Sequence, residues 1–152
     1  MPGLLLVTDA DWLFDEVSAA LCGGGTTVSR IHDGSQLRPA VSQLNPDLVI
    51  LDMQSGSMGG IANCLDLRLE AGAGRLPETK MLLLLDRDSD RWLAREAKAD
   101  GWMVKPLDSF RLRRAANAIL AGEAYFENEP VDEPEAPDEA DAEAGEPAAA
   151  DA

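Results

Sequence analysis

The sequence predicts an α/β fold, a doubly wound five-stranded parallel sheet held between two layers of helices. Three observations carry it. Short apolar runs without polar alternation recur along residues 3–104, as strands covered on both faces require. Each run is followed by an amphipathic stretch of helical period, giving five strands and five helices in strict alternation over residues 3–121. Three of the runs also stop at a residue able to handle phosphate or a metal ion.

The elements follow in order. A strand over 3–8 (Leu4-Leu5-Leu6-Val7) leads to a helix over 11–21, which Gly23-Gly24-Gly25 stops, with Asp11 read as its cap. A strand over 26–31 and a helix over 35–44 come next, and Asn45-Pro46-Asp47 separates them from a strand over 47–52. A helix over 59–71 ends at Gly72 and Gly74. A strand over 80–85, a helix over 89–98, a strand over 102–104 and a helix over 108–121 capped by Asp108 complete the set. Such alternation points to flavodoxin-like order, in which ligands bind beyond the carboxyl ends of the strands.

Composition narrows the function. The 152 residues hold one ordinary domain, and no apolar stretch approaches the roughly 20 residues that cross a bilayer. Met-Pro-Gly-Leu lacks a basic lead-in, so no signal peptide is expected; Cys22 and Cys64 have no metal-ligand spacing and read as reduced thiols of a cytoplasmic protein. The net charge of −15 is uneven. Eleven of the 28 acids lie from Glu127 onward without a Lys or Arg, leaving 17 acids against 13 bases before them. Residues 1–121 therefore read as the folded domain. Residues 122–152, rich in Ala, Pro, Glu and Asp, read as a disordered tail that cannot bury enough surface to offset ordering entropy. Neither part has the basic footprint of a nucleic-acid binder, and no membrane association is expected.

The strand ends carry the chemistry. The first run stops at Thr8-Asp9, the third at Asp52 and the fifth at Lys105-Pro106. Two carboxylates and an ammonium in one crevice make a small divalent-cation and phosphoryl site. Acids at strand ends often only start turns, and a lone Lys before Pro is usually solvated; the three together outweigh that reading.

With Leu-Leu-Leu-Val-Thr-Asp (4–9), Pro-Asp-Leu-Val-Ile-Leu-Asp-Met (46–53), Ser-Met-Gly-Gly (57–60) and Ala-Asp-Gly-Trp-Met-Val-Lys-Pro-Leu (99–107), the chain resembles a CheY-like response-regulator receiver domain. The resemblance covers residues 3–121. It implies Asp52 as the acceptor that attacks the phosphohistidine of a histidine kinase or phosphotransfer protein. It implies Mg²⁺ held by Asp9, Asp52 and the backbone carbonyl of Gln54, with Lys105 neutralising a phosphoryl oxygen and Trp102 as an aromatic switch. A carboxylate attacks an anionic phosphoryl group only when cations screen the charge, and a hard cation prefers such oxygen ligands.

The chain departs from that pattern. Its first strand ends in one acid where the family has two. Where a Thr or Ser hydroxyl follows the fourth strand it offers Asp86, or Leu83 if residues are counted back from Lys105 without a gap. A carboxylate only accepts hydrogen bonds. Met-Gln-Ser-Gly-Ser (53–57) lacks the usual proline after the acceptor.

The expectation is a stand-alone atypical receiver, phosphorylated on Asp52 with Mg²⁺ and signalling through protein contacts. A degenerate receiver working without phosphorylation is the alternative. An enzyme is not expected: Asp9-Ala10-Asp11 resembles the start of haloacid-dehalogenase-type phosphatases, but the acidic pair they need after the lysine is missing. Trp12 and Trp92 read as helix packing, and His32 as a surface turn residue. Eight of the 13 bases lie between Arg87 and Arg114. That helix 4–strand 5–helix 5 face is the expected surface for a downstream partner or a homodimer, and for the acidic tail to fold back on.

Overall fold

The computed structural model describes residues 2–55 and 58–128. Strands β1 (Gly3–Val7), β2 (Thr27–Ile31), β3 (Leu48–Asp52), β4 (Met81–Leu85), β5 (Gly101–Val104) and β6 (Tyr125–Phe126) form one parallel sheet in the order β2-β1-β3-β4-β5-β6. Helices α1 (Asp11–Leu21), α2 (Leu37–Leu44), α3 (Gly60–Gly72), α4 (Arg91–Glu96) and α5 (Ser109–Leu120) make the crossovers. Single 3₁₀ turns precede α2 at Gly34–Gln36 and α4 at Asp88–Asp90.

Strand alternation sorts the core into two layers. Leu5, Val7, Val49, Leu51, Leu83 and Trp102 face Val41, Cys64, Leu67 and Ala94 of α2, α3 and α4. Leu4, Leu6, Leu48, Ile50, Leu82 and Met103 face Leu13 and Val17 of α1 and Leu112 and Ile119 of α5. Every residue of β3 and β4 is buried, which is why these strands read as unbroken apolar runs. Fully burying one such Leu or Ile contributes roughly 1.5–3 kcal/mol, so the central strands fix the sheet and leave the crevice at their ends to polar groups.

Several boundaries differ from expectation. Ala10, without a side-chain hydrogen bond, is the N-cap of α1; Asp11 is its first residue and pairs with Arg30 at 2.8 Å. An acid in a first turn still suits the helix dipole. Asp108 does cap α5, accepting from the Arg111 backbone N–H at 2.9 Å. Asn45 ends α2 in the left-handed conformation (φ 46°) that Asn tolerates. Trp12 is 55% exposed and is not helix packing.

The larger difference lies past α5. Residues 122–128, expected in the tail, are part of the fold, with Tyr125 and Phe126 pairing parallel to Gly101 and Trp102. The sheet thus has six strands rather than five. Residues 129–152 lie outside the described residues, and so does Gly56-Ser57 of the loop after β3.

Candidate functional site

The strand order reverses direction between β1 and β3, and the site sits where their carboxyl ends meet. Asp52, the last residue of β3, is only 3% exposed. A buried carboxylate is costly unless paired and hydrogen-bonded, and Asp52 is both. The Thr8 hydroxyl donates to its Oδ2 at 2.7 Å. The Lys105 ammonium donates to Oδ1 at 2.5 Å, and the Gln54 backbone N–H approaches the same atom at 3.3 Å. Behind Asp52, a Cβ on Gly60 would come within 2.7 Å of the Asp52 carbonyl oxygen. Only glycine lets α3 start this close to the acceptor strand.

Asp86 is inside the cluster. Leu85 pairs with Val104, so Asp86 and Lys105 are the next residues along neighbouring strands, and Lys105 Nζ donates to Asp86 Oδ1 at 2.8 Å. Leu83 is fully buried two residues short of the β4 end and takes no part, so the position facing the site is Asp86. Burial on its own would lower the Lys105 pKa. The hydrogen bonds and charges of Asp52 and Asp86 outweigh it and hold the ammonium above the usual lysine value. The Lys105–Pro106 peptide is cis.

Of the expected residues, the structure brings Asp52, Lys105 and Asp86 together. Asp9 is exposed one residue past Thr8, at the carboxyl end of β1. Gln54 reaches Asp52 through its backbone N–H. Trp102 stands apart from the acids. It is completely buried, stacked on Phe126 (centroids 4.3 Å apart), and its Nε1 donates to the Glu127 carbonyl at 2.9 Å. The edge of β5, within the expected partner face, is covered by residues 125–128. Thr8 is the residue that sequence reasoning set aside: a missing acid signalled weaker metal binding and gave no hint of a donor to the acceptor.

Comparison with known proteins agrees with the fold. No protein-family model matches the chain. It is 33% identical over 129 residues to the DNA-binding response regulator MtrA of Mycolicibacterium smegmatis, covering 85% of this chain and 54% of MtrA. It is 29% identical over 120 residues to the DNA-binding dual master transcriptional regulator RpaA of Synechocystis, covering 79% of this chain and 49% of RpaA. The chain thus spans about half the length of these curated relatives. Among solved structures, a putative response regulator from Chloroflexus aurantiacus superposes with a TM-score of 0.71 at 25% identity, over 79% of this chain and 98% of that one. The chemotaxis response regulator CheY4 of Vibrio cholerae shares the fold (TM-score 0.68, 24% identity, 77% of this chain and 97% of that one).

The chain holds a response-regulator receiver domain of the CheY-like kind, atypical in Thr8 and Asp86. Its relatives support a place in two-component signalling. Among the described residues no helix is long and apolar enough to cross a membrane.

Receiver domains generally bind Mg²⁺. Among the described residues no three His, Cys, Asp or Glu side chains converge as a metal-holding group. The oxygen donors here, Asp52 and Asp9, are of the hard type that a partly hydrated Mg²⁺ accepts, with one carboxylate fewer than the family pattern. Thr8 adds no anionic ligand, since its hydroxyl is uncharged, and it donates to Asp52 instead.

Proposed function

We propose that the chain is an atypical receiver that accepts a phosphoryl group on Asp52 from a histidine kinase or phosphotransfer protein and passes the signal on by protein contact. The observation that carries this reading is the Asp52–Lys105 contact of 2.5 Å at the carboxyl end of β3. An Asp52 carboxylate oxygen attacks the phosphorus, the bond from phosphorus to the donor's imidazole nitrogen breaks, and the released imidazole takes a proton from solvent. Lys105 is placed to neutralise an oxygen of the transferred group as a point charge. Mg²⁺ held by Asp9, Asp52 and the Gln54 carbonyl would supply further screening charge. Asp86 competes with the incoming phosphoryl group for the Lys105 ammonium, which argues for slow phosphorylation.

A second reading has its own support. Both Asp52 oxygens already accept hydrogen bonds within the chain, and the Lys105 ammonium is shared with a second carboxylate, Asp86. Such a cluster suits a receiver fold that works as an interaction module without phosphorylation. Acetyl phosphate with Mg²⁺, followed by intact-mass measurement, separates the two. A gain of one phosphoryl group that EDTA abolishes supports the receiver; no gain at any Mg²⁺ concentration leaves the interaction module.

A further inference from the structure

The segment after α5 lies across the β5 edge like a strap. The backbone bonds that flank its pairing with β5 are long: Tyr125 N–H to the Asp100 carbonyl and Glu127 N–H to the Trp102 carbonyl are both 3.4 Å, longer than a good N–H···O bond. Its side chains do the anchoring. The Phe126 ring stacks on Trp102, and the Trp102 indole N–H donates to the Glu127 carbonyl. The Glu127 carboxylate takes Arg111 in a two-pronged pair, Nε to Oε2 at 2.9 Å and Nη2 to Oε1 at 2.7 Å. Oε1 also accepts the Val104 backbone N–H at 3.0 Å. Asn128 closes the segment, its amide on Asp88 and its carbonyl on Arg91. At the other end Gly122, at φ +91°, is the turn from which the strap leaves α5.

Without the strap, β5 would present an open strand edge, the Trp102 ring and a fixed guanidinium on one line. Open edges are templates for adding a strand. The strap's contacts define what the groove accepts: an extended backbone, an aromatic ring over Trp102, and directly after it a carboxylate reaching Arg111 and the Val104 N–H. We propose that residues 122–128 are a releasable occupant of a peptide-docking groove along β5, and that the groove's partner is an extended segment of another protein carrying an aromatic residue followed by a glutamate. The strap keeps the groove closed until that segment displaces it. This inference is independent of the chemistry at Asp52.

The test uses the full-length chain and a fluorescently labelled peptide of sequence Gly-Glu-Ala-Tyr-Phe-Glu-Asn, copied from residues 122–128. The variant Glu127→Ala weakens the strap but leaves Arg111 and Trp102 in place. By fluorescence anisotropy the peptide should bind Glu127→Ala about tenfold more tightly than wild type, the factor expected for losing one charge-assisted contact in the competitor. A peptide with its second Glu replaced by Ala should lose that binding. Equal affinity for wild type and variant, or indifference to the peptide's second Glu, overturns the proposal. Concentration-dependent self-association of Glu127→Ala without peptide binding overturns it too, since the groove would then serve a second copy. Hydrogen exchange on wild type checks release without any substitution. Amides of 101–104 and 125–127 should open together and faster than those of β1 and β3. Exchange of both sets only through global unfolding makes β6 a fixed strand and defeats the idea.

Discussion

The Thr8 hydroxyl donates to Asp52 Oδ2 at 2.7 Å, so the residue in the place of the family's second acid is a hydrogen-bond donor to the acceptor. With Lys105 on Oδ1, this makes the resting pocket self-sufficient: a buried carboxylate is satisfied by the chain's own groups. The same pair makes the pocket less demanding of a metal ion than two adjacent carboxylates would be.

Replacing Thr8 by Asp should reverse that balance. A second carboxylate beside Asp52 adds repulsion without metal and a ligand with it. Thr8→Asp is expected to unfold at lower temperature than wild type in EDTA and to gain more stability on adding Mg²⁺, with Mg²⁺ affinity up on the order of tenfold. Thermal melts across a Mg²⁺ titration would show it, and an equal response in both proteins counts against it.

Asp86 shares the Lys105 ammonium with Asp52. Asp86→Thr removes the competing charge and adds a hydroxyl able to donate. Phosphorylation of Asp52 by acetyl phosphate should become about tenfold faster, the effect of roughly 1.4 kcal/mol at the transition state. An unchanged or slower rate would mean that Asp86 does not restrain Lys105.

Lys105→Met leaves Asp52 buried without its cation. Removing one partner of a buried pair costs about 3–5 kcal/mol, and here the lower figure is expected because Thr8 still donates to Asp52. Urea unfolding should report the loss, and adding Asp52→Asn in the same chain should recover part of it. The pH dependence has a definite sign. The folded Lys105 pKa is raised, so its contribution is complete below the ordinary value of 10.5 and fades as pH rises through the higher folded value. Wild type and Lys105→Met should converge in stability there.

Glu127 behaves oppositely. Desolvation pushes its pKa up, but the Arg111 pair and the Val104 N–H more than reverse this and hold it below the ordinary 4.5. A depressed carboxylate contributes stability above its unfolded pKa and loses it as pH falls toward the folded one. Trp102 should therefore become accessible to a fluorescence quencher below about pH 4.5 in wild type. In Glu127→Gln the accessibility should not vary with pH in this window.

Much of this was legible in the sequence. Strands β1, β3 and β4 announced themselves because both of their faces are buried, and strand-end Asp52 and Lys105 followed from that placement. The sixth strand did not. Two residues, Tyr125 and Phe126, show no periodicity, and the acidic run from Glu127 suggested solvation when its first member is in fact clamped by Arg111. The complete burial of Trp102 was hidden for the same reason, since it depends on a neighbour, Phe126, that the pattern concealed. A clue was present: Tyr125 and Phe126 are the last aromatic residues of the chain, three residues past a glycine that can end a helix. The direction of the Asp86 side chain was set by Lys105 across the strand pair, a tertiary contact that single-strand reasoning cannot supply.

The central claim, that Asp52 is the phosphoryl acceptor, is tested most directly by locating the modification. After acetyl phosphate and Mg²⁺, peptide mass spectrometry should place one phosphoryl group on the peptide containing Asp52, and Asp52→Asn should carry none. A phosphoryl group that persists in Asp52→Asn, or wild type that stays unmodified, would contradict it.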